Sequence, residues 1–111
     1  MIEVIILRFL EERLSVPVYM EVPERPPREY VIIEKTAGSE ENYIASSTIA
    51  VQSYAESLYE AAVLNEKVKE AMDEILIREE ICTCSLNTDY NFTDTATKKY
   101  RYQAVFDLAH Y

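Results

Sequence analysis

The sequence predicts an α+β fold: a mainly antiparallel sheet of about five strands with an N-terminal helix and one long central helix packed on it, in the order α-β-β-β-α-β-β. Three observations predict it. Leu58, Ala61, Ala62, Leu64, Val68, Ala71, Met72, Ile75 and Leu76 recur at helical spacing and form one long stripe. Runs rich in β-branched and aromatic residues stand on both sides of that stripe, and only the first fourteen residues share its period. A chain of 111 residues with 49% hydrophobic content has the length and the apolar side chains for one core, so residues 1–111 are expected to form a single domain.

Each element follows from local pattern. Ile2, Ile5, Ile6, Phe9, Leu10 and Leu14 recur at three and four, marking a first amphipathic helix over Ile2 to Leu14. Pro17 is expected to end it at about Val16, because the residue before a proline is pushed toward extended geometry. Val18 to Val22 reads as a short strand with Val18, Met20 and Val22 on one face, and Pro23, Pro26 and Pro27 make Glu24 to Arg28 a connection. Glu29 to Lys35 is nearly continuous in apolar residues, as expected of a strand covered on both faces. Thr36 to Asn42 holds the single glycine, Gly38, among polar residues and reads as a hairpin loop. Tyr43 to Ser53 follows as a strand with apolar residues of both parities, so neither face is plainly the wet one.

The central helix begins at Ser53 or Ser57 and runs to Ile77, with Glu60, Lys67, Lys69, Glu70 and Asp73 opposite the stripe as a solvated face. Glu80 to Asn87 and Lys99 to Asp107 close the chain as two strands. In the second, Tyr100, Tyr102, Ala104, Phe106 and Leu108 alternate with Lys99, Arg101, Gln103, Val105 and Asp107, the pattern of a half-buried strand. Between them Thr88 to Thr97 is either a long hairpin loop or an extension of both strands. Five strands in an open sheet also leave edges that must be paired, covered or charged.

Charge and composition exclude several functions. Asp plus Glu number 20 against 11 Lys plus Arg, a net charge of −9, which disfavours a broad grip on nucleic-acid phosphates. Apolar runs such as Val4 to Leu7 fall far short of the roughly 20 residues that span a bilayer, so no membrane partner is expected. The start of the chain has neither the basic opening nor the cleavage site of a signal peptide, which points to a reducing cytoplasm. The single glycine excludes Gly-rich phosphate loops.

Chemistry-bearing residues are sparse. Cys82 and Cys84 are too few for a disulfide framework and lack the further thiols or imidazoles of a metal site, so both read as small buried apolar residues. His110 is the only histidine, next to the mobile end expected of a terminus, and no Ser-His-Asp set forms without it. Glu80, Asp89, Asp94 and Asp107 have no spacing that favours a cation site over scattered surface charge. Asn91-Phe92-Thr93 matches a glycosylation sequon by chance. No enzyme activity, cofactor or metal is therefore expected. Nine tyrosines are the informative excess, because tyrosine supplies wide amphipathic contact area and favours a protein that binds proteins.

Several blocks carry a family resemblance. Ile49-Ala50-Val51-Gln52-Ser53-Tyr54-Ala55-Glu56-Ser57, Leu64-Asn65-Glu66-Lys67-Val68, Tyr90-Asn91-Phe92-Thr93-Asp94-Thr95 and Lys98-Lys99-Tyr100-Arg101-Tyr102-Gln103-Ala104-Val105-Phe106-Asp107 look like small proteins of prophage tail modules. Together with the element order they resemble the tail-terminator (tail-completion, head-tail joining) family of long, non-contractile-tailed phages, over nearly the whole chain. The resemblance implies a structural virion protein of a phage or prophage. It implies a homohexameric ring that caps the head-proximal end of the tail tube, ends its polymerisation and meets the head connector.

The implied partners are other copies of the chain, the major tail tube protein and the head connector or closure protein. DNA would pass through without specific binding, an acidic lumen repelling rather than dragging on the duplex. The implied location is the neck of the virion tail, with the bacterial host cytoplasm during assembly. A closed ring needs two unlike surfaces that meet between subunits. Ser39, Glu40, Glu41 and Asn42 are the first candidate ring or tube contacts. Tyr90, Asn91, Phe92, Asp94, Lys98, Lys99 and Arg101 are the second, both sets being polar excursions beyond paired strands. Lys98, Lys99 and Arg101 serve either as such a contact or as protection of a sheet edge. Other readings are a different neck or tail component, such as a head-closure or tube-like subunit, a small ligand-binding α+β domain with a pocket beside its sheet, and a metal-dependent carboxylate enzyme.

Overall fold

The first helix ends three residues before Val16, earlier than Pro17 requires. In the computed structural model, which describes residues 1–111, helix α1 spans Ile2–Arg13 and Leu14 turns extended at φ −99° and ψ 151°. Helix α1 buries Ile2, Ile6, Phe9 and Leu10, one face at the i, i+4, i+7, i+8 spacing. Arg13 and Arg78 lie over the Phe9 ring at 4.6 and 5.6 Å from its centre. Their ion pairs with Glu74 and Glu12 tie α1 to the segment after the second helix.

Strand β1 is Val18–Tyr19 only, paired parallel with β2 through Val18 and Val31. The strand expected through Val22 stops early: Met20 and Val22 are exposed, and the prolines at 23, 26 and 27 cannot donate to a ladder. Strands β2 (Tyr30–Glu41), β3 (Ile44–Ala55), β4 (Ile81–Asn91) and β5 (Tyr100–His110) complete a five-stranded sheet in the order β1-β2-β3-β5-β4, antiparallel apart from β1. The element order is the predicted α-β-β-β-α-β-β. Strands β2 and β3 are buried on both faces over Tyr30–Ile33 and Ile49–Tyr54, which explains why neither shows a clean alternation.

Helix α2 spans Leu58–Met72, and of its two expected starts Ser57 is the one used. The Ser57 hydroxyl accepts from the Glu60 backbone N–H at 3.1 Å, a cap worth about 1 kcal/mol. The helix ends five residues before Ile77. The Glu74 N–H bonds the Ala71 carbonyl, three residues back, and Ile75–Ile77 form a separate 3-10 turn that buries Ile75 and leaves Leu76 and Ile77 exposed. Tightening from 3.6 to 3.0 residues per turn rotates the stripe away from the core.

Both helices pack on one face of the sheet. Ile6, Phe9 and Leu10 of α1 and Leu64, Val68 and Met72 of α2 meet Val31, Ile33, Ile49, Val51, Ala104, Phe106 and Leu108 in one cluster. Because strand residues alternate in direction, Gln52, Tyr54, Arg101 and Gln103 fall on the opposite face, where no helix lies. Asn65, buried within the α2 stripe, donates to Asp89 of β4 at 3.3 Å beside Lys69, fastening the helix to that strand. The Glu66 carboxylate is the main cause raising the Lys69 ammonium pKa, so this lysine is held charged.

The turn chemistry differs from expectation. Thr36 to Glu41 is strand rather than hairpin loop, and Gly38 sits opposite Ser47 without a positive φ. The register shifts between Lys35 and Ala37, a β-bulge. The reversal falls at Asn42 and Tyr43, whose φ values of 52° and 66° are those of the two central residues of a type I′ turn. Tyr43 is a bulky side chain in the left-handed region and is 91% exposed, so no packing offsets the strain of roughly 1–2 kcal/mol. Tyr43→Gly is accordingly expected to raise stability by about 0.5–1 kcal/mol, the strain relieved less the added freedom of the unfolded chain. Urea unfolding of both proteins checks this, and a fall in midpoint would contradict it.

Candidate functional site

The helix-free face closes itself with a polar ladder. Gln52 and Gln103 are direct register partners on β3 and β5, and the Gln52 Nε2 donates to the Gln103 Oε1 at 2.9 Å. Tyr54 donates its hydroxyl to the Gln52 Oε1 at 3.0 Å, and the Gln103 Nε2 donates to the Tyr90 hydroxyl on β4. Arg101 completes the set, with Nη1 donating to the Tyr54 hydroxyl at 2.9 Å and Nε to the Phe92 carbonyl at 2.6 Å. Its guanidinium lies over Phe92 at 4.3 Å from the ring centre. Gln52 and Gln103 are buried in this arrangement although no helix covers them.

Aromatic rings extend the ladder toward β1. Tyr30 stacks on Tyr54 with centroids 4.6 Å apart and planes 7° from parallel, and Tyr19 meets Tyr30 edge-on at 6.3 Å. Burial pushes the Tyr30 phenol pKa up, Tyr54 adds to the rise and Arg101 opposes it. The phenol therefore stays neutral across the physiological range. At the other end of the same face Asp107 accepts from Thr48 at 3.0 Å and from Asn87 at 2.9 Å. It thereby clamps β3 and the second bulge of β4 onto β5.

The candidate contact residues separate into two surfaces. Ser39, Glu40 and Glu41 end β2, and Asn42 opens the turn to β3. Tyr90 and Asn91 end β4, Phe92, Asp94, Lys98 and Lys99 lie in the β4–β5 connection, and Arg101 is the second residue of β5. Of the two options for Thr88 to Thr97, strand extension holds as far as Asn91, with one further bridge between Asp94 and Lys99. The pairings of Ala45 with His110 and Ala55 with Tyr100 mark the two ends of the sheet. Ten residues at about 3.3 Å each put them roughly 33 Å apart, along the 44 Å long axis.

Arg101 lies on β5, between β3 and β4, and Lys98 and Lys99 precede it. These three therefore protect no sheet edge. Asp94 organises its turn by accepting from the Ala96 and Thr97 N–H groups, and the Thr97 hydroxyl is the main cause holding its carboxyl below the usual range.

Two clefts flank this face. One of about 590 Å³ is lined by residues including Pro26, Pro27, Arg28, Tyr54, Glu56, Lys98 and Lys99 at the β4–β5 end, and the other of about 470 Å³ is lined by small residues including Ala37, Ser46, Thr83 and Ala109. Both are open to solvent. His110 is not on a mobile end: it closes β5, is buried, and lies 2.8 Å from the Ser47 hydroxyl with its Nδ1 toward the Tyr111 carbonyl. That pair lacks the carboxylate of a triad.

The cysteines are half-buried rather than buried: Cys82 falls in the register shift between Ile81 and Thr83, and Cys84 lies on the edge strand β4. Burial is the main cause pushing the Cys84 thiol up to about 11, which keeps it protonated and inert. Glu80, Asp89, Asp94 and Asp107 do not converge, and no three His, Cys, Asp or Glu side chains form a cluster suited to a metal ion. No helix is long and apolar enough to cross a membrane.

Comparison with known proteins adds one finding. No protein-family model matches the sequence, and no curated protein sequence does. Among solved structures, the fold is similar to that of a chain in the virion of a native gene transfer agent (GTA) particle. The likeness is one of fold. The TM-score is 0.52 at 12% identity, covering 95% of this chain and 83% of that chain.

The sequence reading missed Gln52, Gln103 and Tyr54 as a unit and stopped one residue short of Tyr43. A glutamine inside an apolar run is the visible signal for the first, but only strand pairing places the two glutamines together. Gln103→Leu strands the polar groups of Gln52 and Tyr90 and is expected to cost about 1–3 kcal/mol in urea unfolding. The Gln52→Leu/Gln103→Leu double variant is expected to cost less than the two single changes added together. Simple additivity would show that the pair is not coupled.

Proposed function

We propose that this chain is a structural protein of a phage or phage-like virion, and within it a tail terminator: a ring, hexameric on the tail, that caps the head-proximal end of the tail tube. The carrying observation is the likeness in fold, over 95% of the chain, to a chain of a gene transfer agent virion. The sequence blocks that resemble tail-terminator proteins support the finer assignment. In this reading the ring ends tube polymerisation and joins the tail to the head connector. Its partners are its own copies, the tube protein and the connector, and it resides in the virion neck after assembly in the host cytoplasm.

The geometry suits such a part. One sheet carries Ser39 to Tyr43 at one end and Tyr90 to Arg101 at the other, two unlike surfaces of the kind that heterologous ring contacts require. The net charge of −9 suits a conduit, since DNA meeting no excess of Lys and Arg releases few counterions and passes without being held.

Light scattering over a concentration series, alone and with tail tubes, tests the proposal. A hexamer, or a monomer that binds one end of the tubes and halts their elongation, is the expected result. A monomer that leaves elongation unchanged would overturn the terminator assignment, and binding to the connector alone would reassign the chain to another neck position.

A further inference from the structure

The β4–β5 end of this acidic molecule is locally basic. Arg28, Lys98 and Lys99 line the 590 Å³ cleft, and Arg101 lies over Tyr54 at its edge. Only Arg28 among these has a carboxylate partner, Glu56 at 3.7 Å. Lys98 and Lys99 are exposed and make no ion pair, and Lys98 is held at φ 54°. Lys98 and Lys99, cations without an ion-pair partner on a chain of net charge −9, form a local site for carboxylates even with Glu56 in the same wall. The remaining walls are Pro26, Pro27, Ala55, Glu56 and the edge of the buried Tyr30–Tyr54 stack, with the two prolines giving apolar surface beside that charge.

The opposite end of the sheet carries the complement. Glu40 and Glu41 are exposed on the β2–β3 hairpin and make no ion pair, and Tyr43 stands 91% exposed beside them in a strained backbone conformation. Strain retained on an exposed aromatic residue is a mark of a contact made elsewhere. The tip and the cleft lie at opposite ends of the same strands, so a chain cannot bring its own tip to its own cleft.

We infer that the acidic, aromatic tip of one copy docks in the basic cleft of a second copy. Glu40 and Glu41 then face Lys98 and Lys99, and Tyr43 lies against the Pro26–Pro27 wall. The contact is heterologous and repeats from copy to copy, closing to a ring or continuing as a chain according to its angle. It rests on the ring reading above in one respect only, that copies of the chain associate. A hairpin tip presents two carboxylates locally, while the charge on the rest of each copy is screened beyond about 8–10 Å. A DNA duplex instead presents phosphates along its whole length to an acidic surface, and the stacked Tyr30 and Tyr54 rings are too buried to receive bases.

Sedimentation velocity on two charge-reversed full-length chains tests this, one Glu40→Lys/Glu41→Lys and the other Lys98→Glu/Lys99→Glu. All four residues are exposed, and unchanged thermal unfolding confirms that both variants fold. Wild-type association is expected to weaken at high ionic strength, each variant alone to associate at least about tenfold more weakly, and an equal mixture of the two to regain association. In the mixture each reversed tip meets a cleft of opposite sign. A mixture as weak as its components would overturn the contact. Association that neither reversal changes would also overturn it while leaving the ring reading intact. Wild-type chains that stay monomeric in solution and on tube ends would overturn both. Binding of a short DNA duplex by the wild-type chain, lost in the Lys98→Glu/Lys99→Glu variant, would assign the cleft to phosphate and overturn the inference.

Discussion

A sheet with helices on only one side must close its other side with its own side chains, and the rest of this structure follows from that constraint. Strands β3 and β5 are central, and β3 is buried on both faces over Ile49–Tyr54. On the helix side the closure is ordinary apolar packing, in which a fully buried Leu, Ile or Phe contributes about 1.5–3 kcal/mol. On the other side Gln52, Gln103, Tyr54, Tyr90 and Arg101 satisfy one another. A typical hydrogen bond contributes only about 1 kcal/mol net, while a buried partner left unmatched costs about 1–3 kcal/mol. The ladder therefore fixes register more than it drives folding, since a one-residue slip would separate Gln52 from Gln103 and reverse every face.

Register is what makes the two ends of the sheet useful. Ladder, stacked tyrosines and the Asp107 clamp hold β2, β3, β5 and β4 as one unit, so the hairpin tip and the β4–β5 connection keep a fixed separation along the long axis. The bulges at Lys35/Ala37, Ile81/Thr83 and Leu86/Thr88 fall on the strands nearest the sheet edges. There they disturb the free ladder and discourage indiscriminate pairing. The two ends are thereby left as surfaces of unlike charge and aromatic content, held at a fixed distance from one another.

Much of the fold was legible in the sequence because periodicity reports burial directly. The α2 stripe, the α1 face and the β5 alternation each placed an element correctly. What failed was local and physical. Gly38 marked a loop that proved to be strand, because glycine tolerates a loop without requiring one, and the left-handed turn was taken instead by Asn42 and Tyr43. His110 was judged by its position in the chain and the cysteines by their number, whereas pairing buries His110 against Ser47 and the edge strand β4 leaves both thiols half-buried. The candidate contact residues could be named as polar segments, but their division between opposite ends of the sheet depends on the β3–β5 crossover, which no local pattern encodes.

Native-state amide hydrogen exchange tests most directly the claim that the helix-free face is closed and fixed by its own side chains. The amides of Ile49–Tyr54 and Tyr102–Leu108 are expected to exchange only through global unfolding, and those of Gly38–Ser46 through local opening of the tip. Early exchange across Gln52 and Gln103, at the pace of the tip, would show that the face opens independently of the helix-side core and would contradict the account.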